Sequence, residues 1–298
     1  MGRGWRVRGA GLCLLMGISM PVAATCPPDG WDARALASLR EGGFAVDDRA
    51  RRQALALALV DCLGAPDPGL RDDTGYAALS AWMRGGQLDA TTLRALRDAL
   101  YVRLDGPAGE GFSRPFSALV LAEVARTDRR VPWMDAGERD AMVDRATRYL
   151  RSVDDYRGFD PASGWRHGVA HGADWLMQLS LNPALDRAQL RRLVDAAGSQ
   201  VVPASHAYVF GEPERLAAPV LYAAGRDVMD ADAWITWFGE LSAGLGDEAL
   251  AWKDRDWLYR RHDLRAFLMA LRVAAAARED AATRALLPGV DQALASMP

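Results

Sequence analysis

The chain has 298 residues, half of them hydrophobic, and 36 basic side chains against 39 acidic ones give a formal net charge of −3. A mildly acidic chain lacks the basic footprint that nucleic acid or an anionic membrane surface demands, which excludes both as expected partners. The length is ample for a single domain with one stable core.

Residues 1–24 read as an export signal. Arg3, Arg6 and Arg8 precede the apolar run "GAGLCLLMGISM", and Val22-Ala23-Ala24 offers the small residues of a cleavage site. The uncharged stretch is shorter than the roughly 20 residues of a membrane span, so no span is expected after cleavage. The expected location is periplasmic or secreted. Cys13 leaves with the signal; Cys26 and Cys62 remain, and an oxidising compartment makes a disulfide between them the expectation. Closing that loop of roughly 35 residues contributes on the order of 3–4 kcal/mol.

Beyond Trp31 the periodicity is helical. "DDRARRQALALALVDCLG" places Ala54, Leu55, Ala58, Leu59 and Cys62 on one face and stops at Gly64. "DATTLRALRDALYVRLDG" has an aspartate cap, a leucine stripe and a terminal glycine. The segments starting at Ser113, Asp135, Asp186, Glu212, Asp230 and Asp263 repeat the formula, with short Gly, Pro, Asp or Asn turns between them. No segment alternates with period two. The expectation is all-α: a single domain over residues 25–298, about twelve helices stacked in antiparallel pairs as in an α-solenoid of HEAT type. "DATTLRALRDA" (89–99) and "DRAQLRRLVDA" (186–196) echo one another, although amphipathic helices converge on such patterns.

Residues 164–175, "GWRHGVAHGADW", hold two of the four histidines. On a helix, His167, His171 and Asp174 fall within about 60° of one another on successive turns. Gly168 and Gly172 form a second stripe, each costing about 1 kcal/mol against alanine, so a neighbouring helix or a ligand is expected to come close there. Three functional readings compete. Two imidazoles at i and i+4 with Asp174 suit a divalent metal such as zinc. One histidine oriented by Asp174 suits metal-free acid–base work. Plain ligand binding is the third. Gly168, where a zincin has glutamate, excludes that family. Against all three stands a structural reading, in which buried histidines cap neighbouring helices.

Nearby, Asp154, Asp155, Tyr156, Arg157 and Asp160 precede the stretch, and His206, Glu212, Glu214 and Arg215 follow it. Glu212 and Glu214 also fit the first turn of a helix, where negative charge is favoured. The aromatics of "DAWITWF" and "RDWLYRRH" read as core, and His262 as exposed. A nucleophile elbow, a phosphate loop and a dinucleotide fingerprint are all missing from the sequence after residue 24.

The order "RGF…GWRHGVAHGADWL", with "FSRPFSALVLAEVARTD" before it and "GEPERLA" after it, resembles a bacterial family known as domain of unknown function 2785. The resemblance spans roughly residues 90–275. It implies an all-helical, repeat-like fold with an uncharacterised activity, and points to Arg157, Gly158, Gly164, Trp165, His167, His171, Asp174, Glu214 and Arg215. Pro115 stands where the family's pattern has serine. The expected function is binding of a small molecule or peptide, or scaffolding, around a His167/His171/Asp174 cleft. There Arg157 and Arg215 would meet an anionic group, with Trp165 and Glu214 as further contacts. The alternative is a metal-assisted or histidine-dependent hydrolase or lyase of the cell envelope.

Overall fold

The computed structural model describes residues 1–2 and 26–298. All of the expected export signal except Met1 and Gly2, with Cys13 in it, lies outside the described residues.

Among the described residues there are twelve helices of eight residues or more, and almost no strand. They are α1 (Ala33–Glu41), α2 (Arg49–Ala58), α3 (Ala77–Arg84), α4 (Ala90–Asp105), α5 (Ser113–Arg130) and α6 (Ala136–Arg151). After a two-stranded hairpin, β1 (Phe159–Asp160) and β2 (Gly164–Trp165), come α7 (Gly168–Ser180) and α8 (Arg187–Gly198). The last four are α9 (Glu212–Ala224), α10 (Ala231–Ala243), α11 (Arg255–Ala276) and α12 (Leu287–Ser296).

The helix starts follow from the aspartates. Asp32, Asp48, Asp89, Asp135, Asp186, Asp230 and Asp254 each accept a hydrogen bond from the backbone N–H three residues on. Each such cap contributes about 1 kcal/mol and fixes where the helix begins. Asp135 with Glu138 and Asp186 with Gln189 close full capping boxes. The echo between residues 89–99 and 186–196 therefore falls on the capped starts of α4 and α8.

Helices two apart in sequence pack on one another: α5 on α7, α7 on α9, α9 on α11, and α6 on α8. The stack puts α7 at the centre, walled by α5, α6, α8 and α9, with Val169, Ala173, Trp175, Leu176 and Leu179 in the core. Cys26 and Cys62 are joined as a disulfide, their Cα atoms 5.0 Å apart. Among the described residues no helix is long and apolar enough to cross a membrane.

One local expectation needs correction. The helical reading of the histidine stretch from Trp165 onward fails at its first turn, because α7 starts only at Gly168. Asp160 Oδ1 accepts from the N–H groups of Ala162 and Ser163 and from the Ser163 hydroxyl, and Gly164 has φ +74°. That turn chemistry folds residues 159–165 into the hairpin instead.

Candidate functional site

Two features of the chain carry His167 to the end of α7. The hairpin delivers Trp165, and Arg166 and His167 then donate their backbone N–H groups to the Gly158 and Arg157 carbonyls, each at 3.0 Å. His167 itself takes a left-handed conformation, φ 56° and ψ 41°, which is uncommon for a side chain of this size and clusters at functional sites. Its carbonyl then accepts from the His171 N–H at 3.0 Å, so both histidines belong to the first turn.

The imidazoles lie 5.8 Å apart between ring centroids, tilted by 63°. His167 is stacked beneath Trp165 at 4.7 Å, and Phe210 meets the Trp165 ring edge-on at 5.7 Å. Phe159 leans on the same indole at 5.1 Å. The three aromatics stay partly open, with Phe159 47 %, Trp165 36 % and Phe210 37 % exposed, while His167 and His171 are buried. Gly158 makes this possible: a Cβ there would lie 2.0 Å from Phe210 Cδ2.

The partner of His167 is Glu212, the first residue of α9. Glu212 Oε1 lies 3.3 Å from His167 Nε2, although the ring N–H is not aimed along that line, so the nitrogen makes no linear hydrogen bond. Oε2 accepts from the Phe210 N–H at 2.9 Å. Burial raises the Glu212 pKa, but the His167 contact and the backbone N–H groups outweigh it and leave the carboxyl below its ordinary value. Glu212 is charged at neutral pH in a site that is only 2 % exposed.

His171 is set differently. It meets Phe116 edge-on at 5.2 Å. Burial first, then the nearby His167, Arg215 and Arg71, push its pKa down to about 3. It is therefore a neutral imidazole with a buried Nδ1 that has no partner.

Asp174 holds Arg215. Burial raises its pKa, with Arg215 opposing. Among the described residues no three His, Cys, Asp or Glu side chains are grouped so as to hold a metal ion. Arg157 is likewise engaged: its Nε lies 2.8 Å from Asp155 Oδ1, and it braces the hairpin over Gly111. The two guanidiniums expected to meet an anionic ligand each hold a carboxylate already. Glu214 is exposed, and Glu212 is the carboxylate buried beside His167.

Gly168 and Gly172 face the end of α6. A Cβ on Gly172 would come within 2.9 Å of Leu150 and 3.0 Å of Tyr149, and one on Gly168 within 3.3 Å of Val153. Both glycines let α6 and its C-terminal extension lie close against α7.

Sequence reasoning missed Asp263, which lies behind Glu212. Asp263, fully buried on α11, accepts from the Tyr208 N–H at 2.9 Å through Oδ1, and its Oδ2 has no partner. Burial, with the Glu212 charge adding to it, raises its pKa to about 7. His206 stacks on Tyr156 at 5.1 Å, and burial lowers its pKa. Arg71 was missed too: it is fully buried in a π-helical turn, Arg71–Tyr76, and its Nη2 donates to the Ser163 carbonyl at 2.8 Å. It thereby ties the hairpin to the N-terminal helices.

A family model described as Protein of unknown function (DUF2785) matches residues 105–273, which include the hairpin, both histidines, Glu212 and Asp263. Comparison with curated proteins and with solved structures gives no match. With more than half of its length matched by that model, the chain belongs to the DUF2785 family of proteins of unknown function.

Proposed function

We propose that the chain is an exported ligand-binding protein of the cell envelope, with its site at the His167–His171 pair beneath the Phe159–Trp165–Phe210 rim. One observation carries the reading. His171 Nδ1 is buried without a hydrogen-bond partner, and His167 Nε2, on a ring 5.8 Å away, faces only Glu212 Oε1 at 3.3 Å without a well-formed hydrogen bond. Native proteins rarely leave such atoms orphaned, and a polar ligand or an ordered water supplies what they lack. The partly open aromatics beside them offer an apolar seat for the rest of a small molecule or peptide side chain. The signal-like start of the sequence and the Cys26–Cys62 disulfide support export.

A second reading has its own observation. The His167–Glu212 contact joins an imidazole to a buried carboxylate, the arrangement of a histidine acting as proton carrier. It favours a histidine-dependent hydrolase or lyase at the same place.

Thermal shift against a panel of saccharides, short peptides and carboxylic acids tests the first reading. A compound that stabilises the chain but not its Trp165→Ala variant supports the site. A panel whose every stabilising compound acts equally on both proteins counts against it. Turnover of such a compound, lost in Glu212→Gln while binding persists, selects the enzyme.

A further inference from the structure

We propose that the cavity between the start of α5 and the end of α6 binds a small phosphate monoester, independently of the histidine pair. The cavity measures about 420 Å³ and is lined by Arg114, Arg145, Arg148, Arg151, Tyr149 and Ser152, among others. None of these residues belongs to the histidine site.

Two of its four arginines are spent. Arg145 pairs with Asp105 at 2.8 Å and lies over the Tyr101 ring, and Arg148 pairs with Asp144. Arg114 and Arg151 pair with no carboxylate among the described residues. Arg151 ends α6, where the helix dipole itself favours a cation, so its position has an ordinary explanation.

Arg114 has none. It is the second residue of α5, at the positive end of that helix, where a cation is disfavoured, and no side chain caps the turn. Its one side-chain hydrogen bond is a long contact, 3.4 Å, from Nη2 to the Ser152 hydroxyl, and its Nε is buried without an acceptor. An anion bound between Arg114 and Arg151 would supply the countercharge that both guanidiniums lack.

The planar fork of a guanidinium suits phosphate oxygens, and two uncompensated guanidiniums match a dianion. The volume falls within the roughly 300–1,000 Å³ of small-molecule sites, so the phosphate would carry an organic body.

Calorimetric titration of the full chain at low ionic strength, with glycerol 3-phosphate and with glycerol, tests this. The phosphate ester is expected to bind at millimolar concentration or below, and glycerol not at all. Arg114→Gln and, separately, the surface variant Arg151→Glu should each weaken the ester by about tenfold or more. Arg114→Gln should melt no lower than the wild type, since it removes an unpaired charge. Sedimentation with phosphatidylglycerol vesicles distinguishes the source. Binding to vesicles that Arg114→Gln abolishes, with no response to the soluble ester, would overturn the small-molecule assignment in favour of a lipid headgroup. Absence of ester binding by the wild type, unchanged binding by both variants, or a large drop in the melting temperature of Arg114→Gln would each overturn it too.

Discussion

His167 Nε2 lies 3.3 Å from Glu212 Oε1, across the junction between the first turns of α7 and α9. The contact joins two helices that pack along much of their length, and it fixes a charged carboxylate under an aromatic rim. Because the folded-state pKa of Glu212 lies below its ordinary 4.5, its contribution to stability is fully present above that value. It is lost as the pH falls through the folded pKa. Glu212→Gln is expected to cost about 1–3 kcal/mol at pH 7, as for a buried charged contact, and progressively less below pH 4.5. Urea unfolding at several pH values measures both.

Asp263 has the opposite sign. Its pKa rises from 3.8 to about 7 on folding, so the native state holds a proton that the unfolded chain gives up. Stability therefore falls as the pH climbs from 3.8 through about 7. Asp263→Asn keeps an acceptor for the Tyr208 N–H and cannot ionise. It is expected to be more stable than the wild type at alkaline pH, with the advantage narrowing toward pH 4. Thermal melts across that range check the crossover.

At Gly172 two terms compete. Alanine improves helix propensity by about 1 kcal/mol. Its Cβ, however, would press Leu150 at 2.9 Å and Tyr149 at 3.0 Å, and overpacking of this kind costs typically about 1–3 kcal/mol. Gly172→Ala should therefore destabilise by about 1 kcal/mol net, and Gly168→Ala, with its nearest contact at 3.3 Å, by less. Denaturation midpoints of the two variants rank them.

The helices were legible because their starts are local. Asp89, Asp135 and Asp186 cap through backbone groups three residues away, and the leucine stripes follow at once. The site was legible in its histidines but not in their partners. Glu212 and Glu214 both read as first-turn residues, and a spacing of two puts them on different faces without telling which one faces inward. The structure buries Glu212 against His167 and leaves Glu214 in solvent. Asp263 reaches Tyr208 across 55 residues, and Arg71 reaches Ser163 across 92, contacts that no local pattern announces. The late start of α7 was hidden for a different reason. A left-handed His167 is set by the hairpin before it, against the preference of the residue itself.

The Cys26–Cys62 disulfide closes a loop with a sequence separation of 36 and anchors the start of the described fold to the core. Replacing both cysteines with serine, or reducing the bond, is expected to cost on the order of 3–4 kcal/mol. Unfolding with and without reductant measures it, and a null difference would show that the N-terminal segment is held by packing alone.

The most direct test of the ligand site follows the imidazole nitrogens of His167 and His171 by nuclear magnetic resonance while small polar compounds are titrated in. The expected result is that at least one compound moves the His167 Nε2 and His171 Nδ1 signals together, and that Trp165→Ala abolishes the response. His171 should meanwhile stay neutral until the pH approaches 3. Imidazole signals that remain fixed for every compound, including those that bind elsewhere on the chain, would contradict a ligand site at this pair.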